Sequence, residues 1–215
     1  MNSLDTVSIK QSVVFDRLYD LITSGYFRLG ENLSEREIAN MLDVSRTPVR
    51  EAFRRLEREG LVTYQPKKGV MIRSFTEEEI INLYRVREYM EKLTSRLLSE
   101  KQNITLIEKL KQNVRQAEIA AKDNDVKEQA IINAQFHLLM VEGTNNSYLI
   151  NVYKPLTSQL SLFRSKSLSY KGRSLINIEE HNKICEAIER GDTDLAEEIT
   201  GVHVQNSLKA LLKSF

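Results

Sequence analysis

The sequence predicts a mainly α-helical protein made of two domains. Eight glycines and three prolines among 215 residues are too few for the closely spaced turns of a β-sandwich or barrel. Hydrophobic residues make up 41% of the chain, enough for a sizeable core and too many for a disordered protein. Most of them recur at helical spacing. We therefore expect an N-terminal domain over residues 1–75 and an all-helical domain over residues 76–215.

Several classes of protein are disfavoured by composition. No apolar run approaches the roughly 18 residues that a membrane helix needs, and the N-terminus MNSLDTVSIK lacks the apolar stretch of a signal peptide. The single cysteine, Cys185, cannot form an internal disulfide, which argues against a small secreted scaffold. We expect a cytoplasmic protein that makes no membrane contact.

Two short helices in the N-terminal domain have helix-turn-helix spacing. Ser34 and Glu37 predict a capping box that opens the first helix, and residues 43–46 predict a tight break after it. Thr47 is expected to cap the second helix, with Pro48 in its first turn. Two β-like runs then predict a hairpin wing: Leu61–Gln65 and Gly69–Ile72. The combination indicates a winged helix with a small hairpin.

The second helix carries a basic face. Arg46, Arg50 and Arg54 recur every four residues opposite an apolar face. Residues 46–73 contain eight basic and three acidic residues, a surplus of five in a chain whose net charge is +1. This concentration predicts DNA binding in the major groove. The alternative is a solvated face on which the arginines pair with nearby glutamates.

Residues 13–72 resemble the winged-helix domain of the GntR family of bacterial transcription regulators. The matching segments are LYDLITSGYFRLG at 18–30, LSEREIA at 33–39, VSRTPVREA at 44–52 and LEREGLV at 56–62. By position, the resemblance implies that five residues of the helix-turn-helix contact DNA: Arg36, Ser45, Arg46, Thr47 and Arg50. It also implies that Gly69, at the tip of the wing, enters the minor groove. The charge pattern adds Arg54 and Lys67 as candidate contacts.

Six helices are predicted from Thr76 onward. Thr76 and Glu79 form a capping-box pattern, which places the join between the domains near Ser74 and Phe75. Gly191 is expected to end the fifth of these helices. The predicted ranges are 77–100, 104–122, Asp125–Val141, Tyr148–Lys166, Ile178–Arg190 and Asp192–Ser214.

The three histidines of the chain fall in three different predicted helices of this domain. A lone histidine near an apolar face is usually a core residue, but imidazoles on facing helices are how helical bundles build metal sites. Residues 76–212 resemble the FCD effector domain of FadR-type GntR regulators, through YRVREYME at 84–91, FH at 136–137 and EHNKI at 180–184. Metal-binding members use one aspartate and three histidines. The resemblance therefore implies metal ligation by His137, His181 and His203, with Asn133 at the position of the aspartate.

Asn133 changes what such a site can bind. An amide oxygen can ligate a divalent ion (zinc, nickel or manganese) but adds no negative charge, so ion affinity falls and an anionic partner is favoured. A metal-free cavity, in which the imidazoles hydrogen-bond the ligand directly, is the alternative. Arg87 and Arg164 are candidate carboxylate contacts, which the resemblance supports; Arg87 could instead pair with Glu91 four residues later.

Together these features predict a ligand-responsive transcription regulator. As a homodimer it would bind a palindromic double-stranded DNA operator and sense a small organic or sugar acid in its helical domain. The competing hypothesis is a metal-dependent hydrolase that uses the three histidines. It is disfavoured because no general base is evident near them and a hydrolase has no use for a basic recognition helix. A purely structural DNA-bending protein would leave the helical domain unexplained.

Overall fold

The structure, a computed structural model, describes residues 3–66 and 68–214, with side chains from residue 12 onward. The chain divides into two compact units between Phe75 and Thr76. The first is a winged helix-turn-helix and the second is built from helices alone, which confirms the predicted fold class. Within the described residues, no helix is both long and apolar enough to cross a bilayer.

The first unit packs three helices against a small antiparallel sheet. Its strands lie in the order β1-β3-β2. Val70 of β3 pairs with Leu33 on one side and with Tyr64 on the other. Strand β1 was not predicted, because two residues are too short to show an alternating pattern. The elements are α1 (Ser3–Thr23), β1 (Asn32–Leu33), α2 (Glu35–Leu42), α3 (Arg46–Arg58), β2 (Val62–Gln65) and β3 (Gly69–Ile72).

Two helix caps in this unit differ from the prediction. Ser34 occupies the N-cap position of α2, but its side chain makes no capping hydrogen bond. Helix α3 begins at Arg46 with Ser45 at the N-cap, so Thr47 lies inside the first turn. The left-handed backbone of Asp43 closes α2, which leaves only two residues before α3 begins. Pro48 is tolerated because first-turn N–H groups have no helical acceptor.

The second unit contains six helices, as predicted. The Thr76–Glu79 capping box is present in both directions: Thr76 Oγ1 accepts from the Glu79 amide, and Glu79 Oε2 accepts from the Thr76 amide. Gly191 ends α8 in the left-handed conformation. The helices are α4 (Glu77–Lys101), α5 (Ile104–Lys122), α6 (Val126–Gly143), α7 (Ser147–Leu168), α8 (Arg173–Arg190) and α9 (Thr193–Leu212).

The start of α8 is the largest difference from the predicted helix boundaries. The helix begins at Arg173, five residues before the predicted start at Ile178, because the apolar pattern of its first turns is weak. Gly172, with φ of 76°, provides the turn that separates it from α7. The extra turns bring Arg173 and Asn177 into the buried interior of the unit.

A hydrophobic core joins α4, α5, α6, α8 and α9 and supports a polar centre beside it. Phe136 of α6 and Ile184 of α8 are fully buried in this core. His137 follows Phe136 directly, and His181 lies one turn before Ile184. Both histidines are buried, as is His203 of α9. Each histidine is therefore fixed by a helix whose apolar side chains are packed in the core.

Candidate functional site

The predicted DNA contacts of the first unit lie on its surface. Five of them are exposed on α2, on α3 or at the α3 N-cap: Arg36, Ser45, Arg46, Thr47 and Arg50. Arg54 is exposed one turn after Arg50. Gly69 opens β3 at the hairpin with φ of 84°, a conformation that favours glycine. The prediction for Lys67 falls outside the described residues.

The arginines of α3 differ in their hydrogen-bond and packing partners. The Arg50 guanidinium donates from Nε and Nη2 to both carboxylate oxygens of Glu35 on α2, at 2.9 and 2.8 Å. Arg54 makes one contact, with Glu51 at 3.0 Å. Arg55 instead lies 3.7 Å over the Phe15 ring, where it packs α1 against α3. The basic surplus is therefore divided between the recognition face and the packing of α1 on α3.

An open groove runs between α3 and the hairpin. Its floor contains the buried side chains of Phe53, Val62 and Val70, and Arg50 and Tyr64 stand at its edges. The hydrogen bond to Arg50 lowers the pKa of Glu35, and the same bond raises the pKa of Arg50. Both groups are therefore ionised at neutral pH.

In the second unit, the three histidines form a compact cluster. Their candidate ligand nitrogens all lie within 4.8 Å of one another, and no other described set of histidine, cysteine, aspartate or glutamate side chains meets so closely. The Nε2 atoms of His137 and His203 are 3.4 Å apart. His181 stacks on Phe136, with ring centroids 3.9 Å apart and planes 7° from parallel.

Two buried carboxylates orient the imidazoles. Glu180 Oε2 accepts from His203 Nδ1 at 2.8 Å, which leaves Nε2 of His203 as a lone-pair donor. Glu91 Oε2 lies 3.2 Å from His137 Nδ1, although the two are not aligned for a hydrogen bond. Nη2 of Arg87 donates toward His137 Nε2 at 3.1 Å, which also assigns the proton of His137 to Nδ1.

These residues fit a divalent cation. His181 Nε2 is buried and has no hydrogen-bond partner, and the facing Nε2 atoms of His137 and His203 are both assigned lone pairs. Three clustered imidazole nitrogens, with the His203 ring oriented by Glu180, are a typical ligand set for zinc and other first-row metals. Asn133 is buried on α6 one turn before His137, and its amide nitrogen donates to Asn177 Oδ1 at 3.1 Å. Its side chain brings no charge to the cluster.

Arg87 makes the pair with Glu91 that was the alternative from the sequence, and it also lies beside the histidines. Its Nε donates to Glu91 Oε1 at 2.7 Å, while its Nη2 lies against the histidine cluster. The Tyr153 hydroxyl donates to the same Glu91 oxygen at 2.7 Å. Arg164 of α7 is buried as well, and its charge contributes to lowering the pKa of His137.

Sequence reasoning missed Arg173 and Glu180. Arg173 Nη2 lies 2.8 Å from both Glu180 Oε2 and Ser207 Oγ, whereas its Nε and Nη1 are buried without a hydrogen-bond partner. Glu180 precedes His181 in the EHNKI segment, and this adjacency was an available signal. Arg173 was placed before the predicted helix, and nothing in the local pattern indicated its burial.

The charges of the polar centre are unevenly balanced. The buried ionisable residues of the second unit comprise three arginines, two glutamates and the three histidines: Arg87, Arg164, Arg173, Glu91, Glu180, His137, His181 and His203. Burial lowers the pKa of all three histidines, well below the usual value for His181 and His203. With neutral imidazoles the centre has a net charge of +1, so it favours an anion.

Comparison with known protein families supports the same division of the chain. Residues 10–72 match the model of bacterial regulatory proteins of the gntR family, and residues 82–206 match the FCD domain.

Among relatives, the chain is 28% identical to a probable D-xylose utilization operon transcriptional repressor from Paenarthrobacter nicotinovorans, over 94% of this chain and 89% of the relative. It is 27% identical to a gluconate operon transcriptional repressor from Bacillus licheniformis, over 81% of this chain and 73% of the relative. Among solved structures, E. coli McbR/YncC has a similar fold, with a TM-score of 0.82 at 19% identity, over 95% of this chain and 97% of that one. None of these proteins supports the hydrolase hypothesis.

The neutral histidines predict that the metal-free protein loses stability in mild acid. A histidine with a lowered pKa in the folded state takes up its proton more readily when the chain unfolds. Stability is therefore fully present above pH 6.5 and falls below it, by up to about 1.4 kcal/mol per pH unit for each histidine. Urea unfolding of chelator-treated protein at pH 7.5, 6.5 and 5.5 measures this loss.

The titration of Glu91 does not contribute to the loss of stability in this pH range. Burial raises its pKa, but the charge of Arg87 and the hydrogen bond from it outweigh that effect and hold the pKa well below the usual value of 4.5. Its contribution is lost only at a pH below this range. The His203→Gln variant, which cannot take up the proton, should show a shallower pH dependence than the wild type. An equal slope would contradict the burial of a neutral His203.

The matches cover both units of the structure and agree with the winged helix, the basic face and the buried histidine cluster. This chain belongs to the GntR family of bacterial transcription regulators, in the group that carries an FCD domain.

Proposed function

We propose that this protein regulates transcription by binding a palindromic operator as a homodimer and releasing or engaging it in response to a small anionic effector. The observation that carries the proposal is a positively charged, buried polar centre in the FCD domain of a chain that also has an exposed basic recognition helix. Regulation of transcription in a bacterium takes place in the cytoplasm, which agrees with the expected location.

Dimerisation is supported by an apolar stripe on α4. Val86, Tyr89 and Leu93 follow one another at helical spacing on one side of the helix and are 50%, 73% and 43% exposed. A second copy of this chain would bury them, and contiguous exposed apolar side chains are typical of protein interfaces. A dimer presents two recognition helices to two half-sites, so its operator should be an inverted repeat.

Because Arg50 is proposed to read a base, its removal should weaken binding to the operator more than binding to other DNA. Arg50→Ala should weaken binding to an operator selected from random duplexes by about 1–3 kcal/mol, because a guanidinium recognises guanine through two hydrogen bonds. Fluorescence anisotropy with the selected inverted repeat and with a scrambled duplex measures the effect.

Arg17→Ala is the matched control, since it removes the same charge from an exposed position on α1. It should have little effect on either DNA. If Arg50→Ala weakens binding to both duplexes equally, Arg50 contacts phosphate and does not read a base. If selection with the wild type enriches no sequence, the chain is not an operator-binding regulator.

We propose that His137, His181 and His203 hold a divalent ion through Nε2, with Asn133 beside it as a neutral ligand. The unpartnered Nε2 of His181 and the carboxylate-oriented Nδ1 of His203 support this assignment. A bound ion would supply positive charge for an effector carboxylate. The chain itself would fix the imidazoles through Glu91 and Glu180 and leave the neighbouring guanidiniums to orient the acid.

Elemental analysis tests the metal site directly. Tag-free protein prepared without chelator should contain close to one zinc, nickel or manganese ion per chain, and a His137→Ala, His181→Ala double variant should contain none. Asn133→Asp should raise metal affinity, because it adds a negative charge beside the imidazoles. Metal-free wild-type protein that also fails to take up added ions would overturn the metal site, and the imidazoles would then serve a direct ligand pocket or only the core.

The effector is proposed to be a small organic or sugar acid. Arg173 supports a carboxylate contact, because two of its buried nitrogens have no partner while a third is held by Glu180 and Ser207. Nε and Nη1 lie on different edges of the guanidinium, so each can donate a single hydrogen bond to an anionic ligand. The gluconate operon repressor among the relatives is named for a sugar acid, which supports the same class of ligand.

A thermal-shift screen of small acids tests this contact. An acid present at 100 times its dissociation constant stabilises the folded protein by about 2.7 kcal/mol, which raises Tm by several degrees. Arg173→Lys keeps the charge beside Glu180 but loses the unpartnered Nε and Nη1 donors, so its Tm should rise much less. The exposed Arg190→Lys is the control and should respond as the wild type does. An undiminished response in Arg173→Lys would remove Arg173 from the effector site.

A further inference from the structure

One ion pair in the first unit connects the two helices of the helix-turn-helix. Glu35 lies in the first turn of α2, and Arg50 lies one turn into α3, fifteen residues later in the chain. Their side chains meet through two parallel hydrogen bonds, Nε to Oε1 at 2.9 Å and Nη2 to Oε2 at 2.8 Å. Two bonds between planar groups fix the direction of the guanidinium as well as its position.

The bonds to Glu35 occupy only one edge of the guanidinium. Arginine carries five N–H groups, and Glu35 takes the one on Nε and one on Nη2. One N–H of Nη1 and the second N–H of Nη2 are left on the adjacent edge, and the other N–H of Nη1 lies on the side of Cδ. The Arg50 side chain is 56% exposed, so this edge is accessible to a ligand. An edge with two neighbouring N–H donors is what guanine O6 and N7 accept from arginine in a major groove.

The other arginines on this face are not held in the same way. Arg54 is in contact with Glu51 on its own helix through a single nitrogen, at 3.0 Å. The side chain of Arg46 has no hydrogen bond or ion pair with the side chains that the structure describes. Glu57 also lines the groove, but its Oε1 accepts from the backbone amide of Tyr64. Arg50 is thus distinguished from Arg46 and Arg54 by an anchor on a second helix.

We propose that Glu35 is a positioning residue for DNA recognition: it holds the Arg50 guanidinium so that its free edge meets a guanine. This inference rests on the proposed operator binding. An acidic residue at a DNA-binding surface repels phosphates, so its presence there needs a compensating role. Glu35 compensates by restricting Arg50 to one orientation before DNA arrives, which favours a base of the right geometry over any nearby phosphate.

The two effects of Glu35 predict opposite changes for specific and non-specific DNA. Without the carboxylate, Arg50 loses its fixed direction, so binding to a site with the right guanine weakens. At the same time the surface becomes more positive, so binding to arbitrary DNA is unchanged or stronger. The measurable consequence is a lower ratio of specific to non-specific affinity.

The test uses the full-length protein and two duplexes of equal composition, the inverted repeat selected by the wild type and a scrambled version. Glu35→Gln keeps the shape of the side chain and removes its charge. We expect it to weaken binding to the selected duplex by about tenfold and to leave the scrambled duplex within about twofold of the wild type, or tighter. Repeating the selection with the variant should show relaxed preference at one base pair of each half-site.

Controls separate positioning from general electrostatics and from misfolding. Glu51→Gln removes the same charge from α3 but breaks only the single contact with Arg54, so the specificity ratio should change little. In an Arg50→Ala background, Glu35→Gln should have no further effect on the ratio, because nothing is left to position. Circular dichroism and thermal unfolding verify that each variant is folded.

Three outcomes would overturn the inference. Tighter binding of Glu35→Gln to both duplexes by the same factor would make Glu35 only a source of repulsion. An unchanged ratio of specific to non-specific affinity in Glu35→Gln would mean that the Glu35–Arg50 pair has no role in recognition. If Glu35→Gln lowers this ratio equally in the Arg50→Ala background, Glu35 acts through another residue. If Arg50→Ala changes the ratio and Glu35→Gln does not, only the positioning role fails. If the wild type selects no sequence, the proposed function fails as well.

Discussion

The burial of two carboxylates, Glu91 and Glu180, is the constraint on which the helical domain depends. Each is paired with an arginine of its own helix and faces a histidine of another helix, so the two carboxylates connect α4 with α6 and α8 with α9. A buried charge is tolerated only when its partners are complete, because the lost hydration must be replaced by close contacts. The carboxylates therefore fix where Arg87, Arg173, His137 and His203 can be.

This arrangement also explains how a sensor can be built from a stable core. Glu180 accepts from Nδ1 of His203, and Glu91 lies beside Nδ1 of His137. The Nε2 atoms of these two rings face each other; that of His137 is met by Arg87 Nη2, whereas Nε2 of His181 has no hydrogen-bond partner. The net charge of the polar centre is positive, and Nε and Nη1 of Arg173 have no hydrogen-bond partner there. The helices supply a rigid frame, and the buried donors without a hydrogen-bond partner support the proposed binding of a small anion.

The first domain uses the same physical device at its surface. A carboxylate from one helix holds a guanidinium from the next, and the direction of the arginine is decided by an interaction that crosses the turn. The pair is solvated, so it contributes little to folding stability. Its value lies in geometry, since a forked donor that is already oriented distinguishes a base edge from a phosphate better than a mobile one.

The sequence by itself determined the class of fold, the six helices after Thr76, the basic face of α3 and the three histidines, because periodicity, capping residues and local motifs are encoded in neighbouring residues. It missed strand β1, the cap at Ser45, the early start of α8 and the roles of Arg173 and Glu180. Only the tertiary structure decided that Glu35 holds Arg50 and that Arg87, besides its pair with Glu91, reaches His137. These contacts join residues that are far apart in the chain, and pairing between helices is set by packing, which no local pattern records.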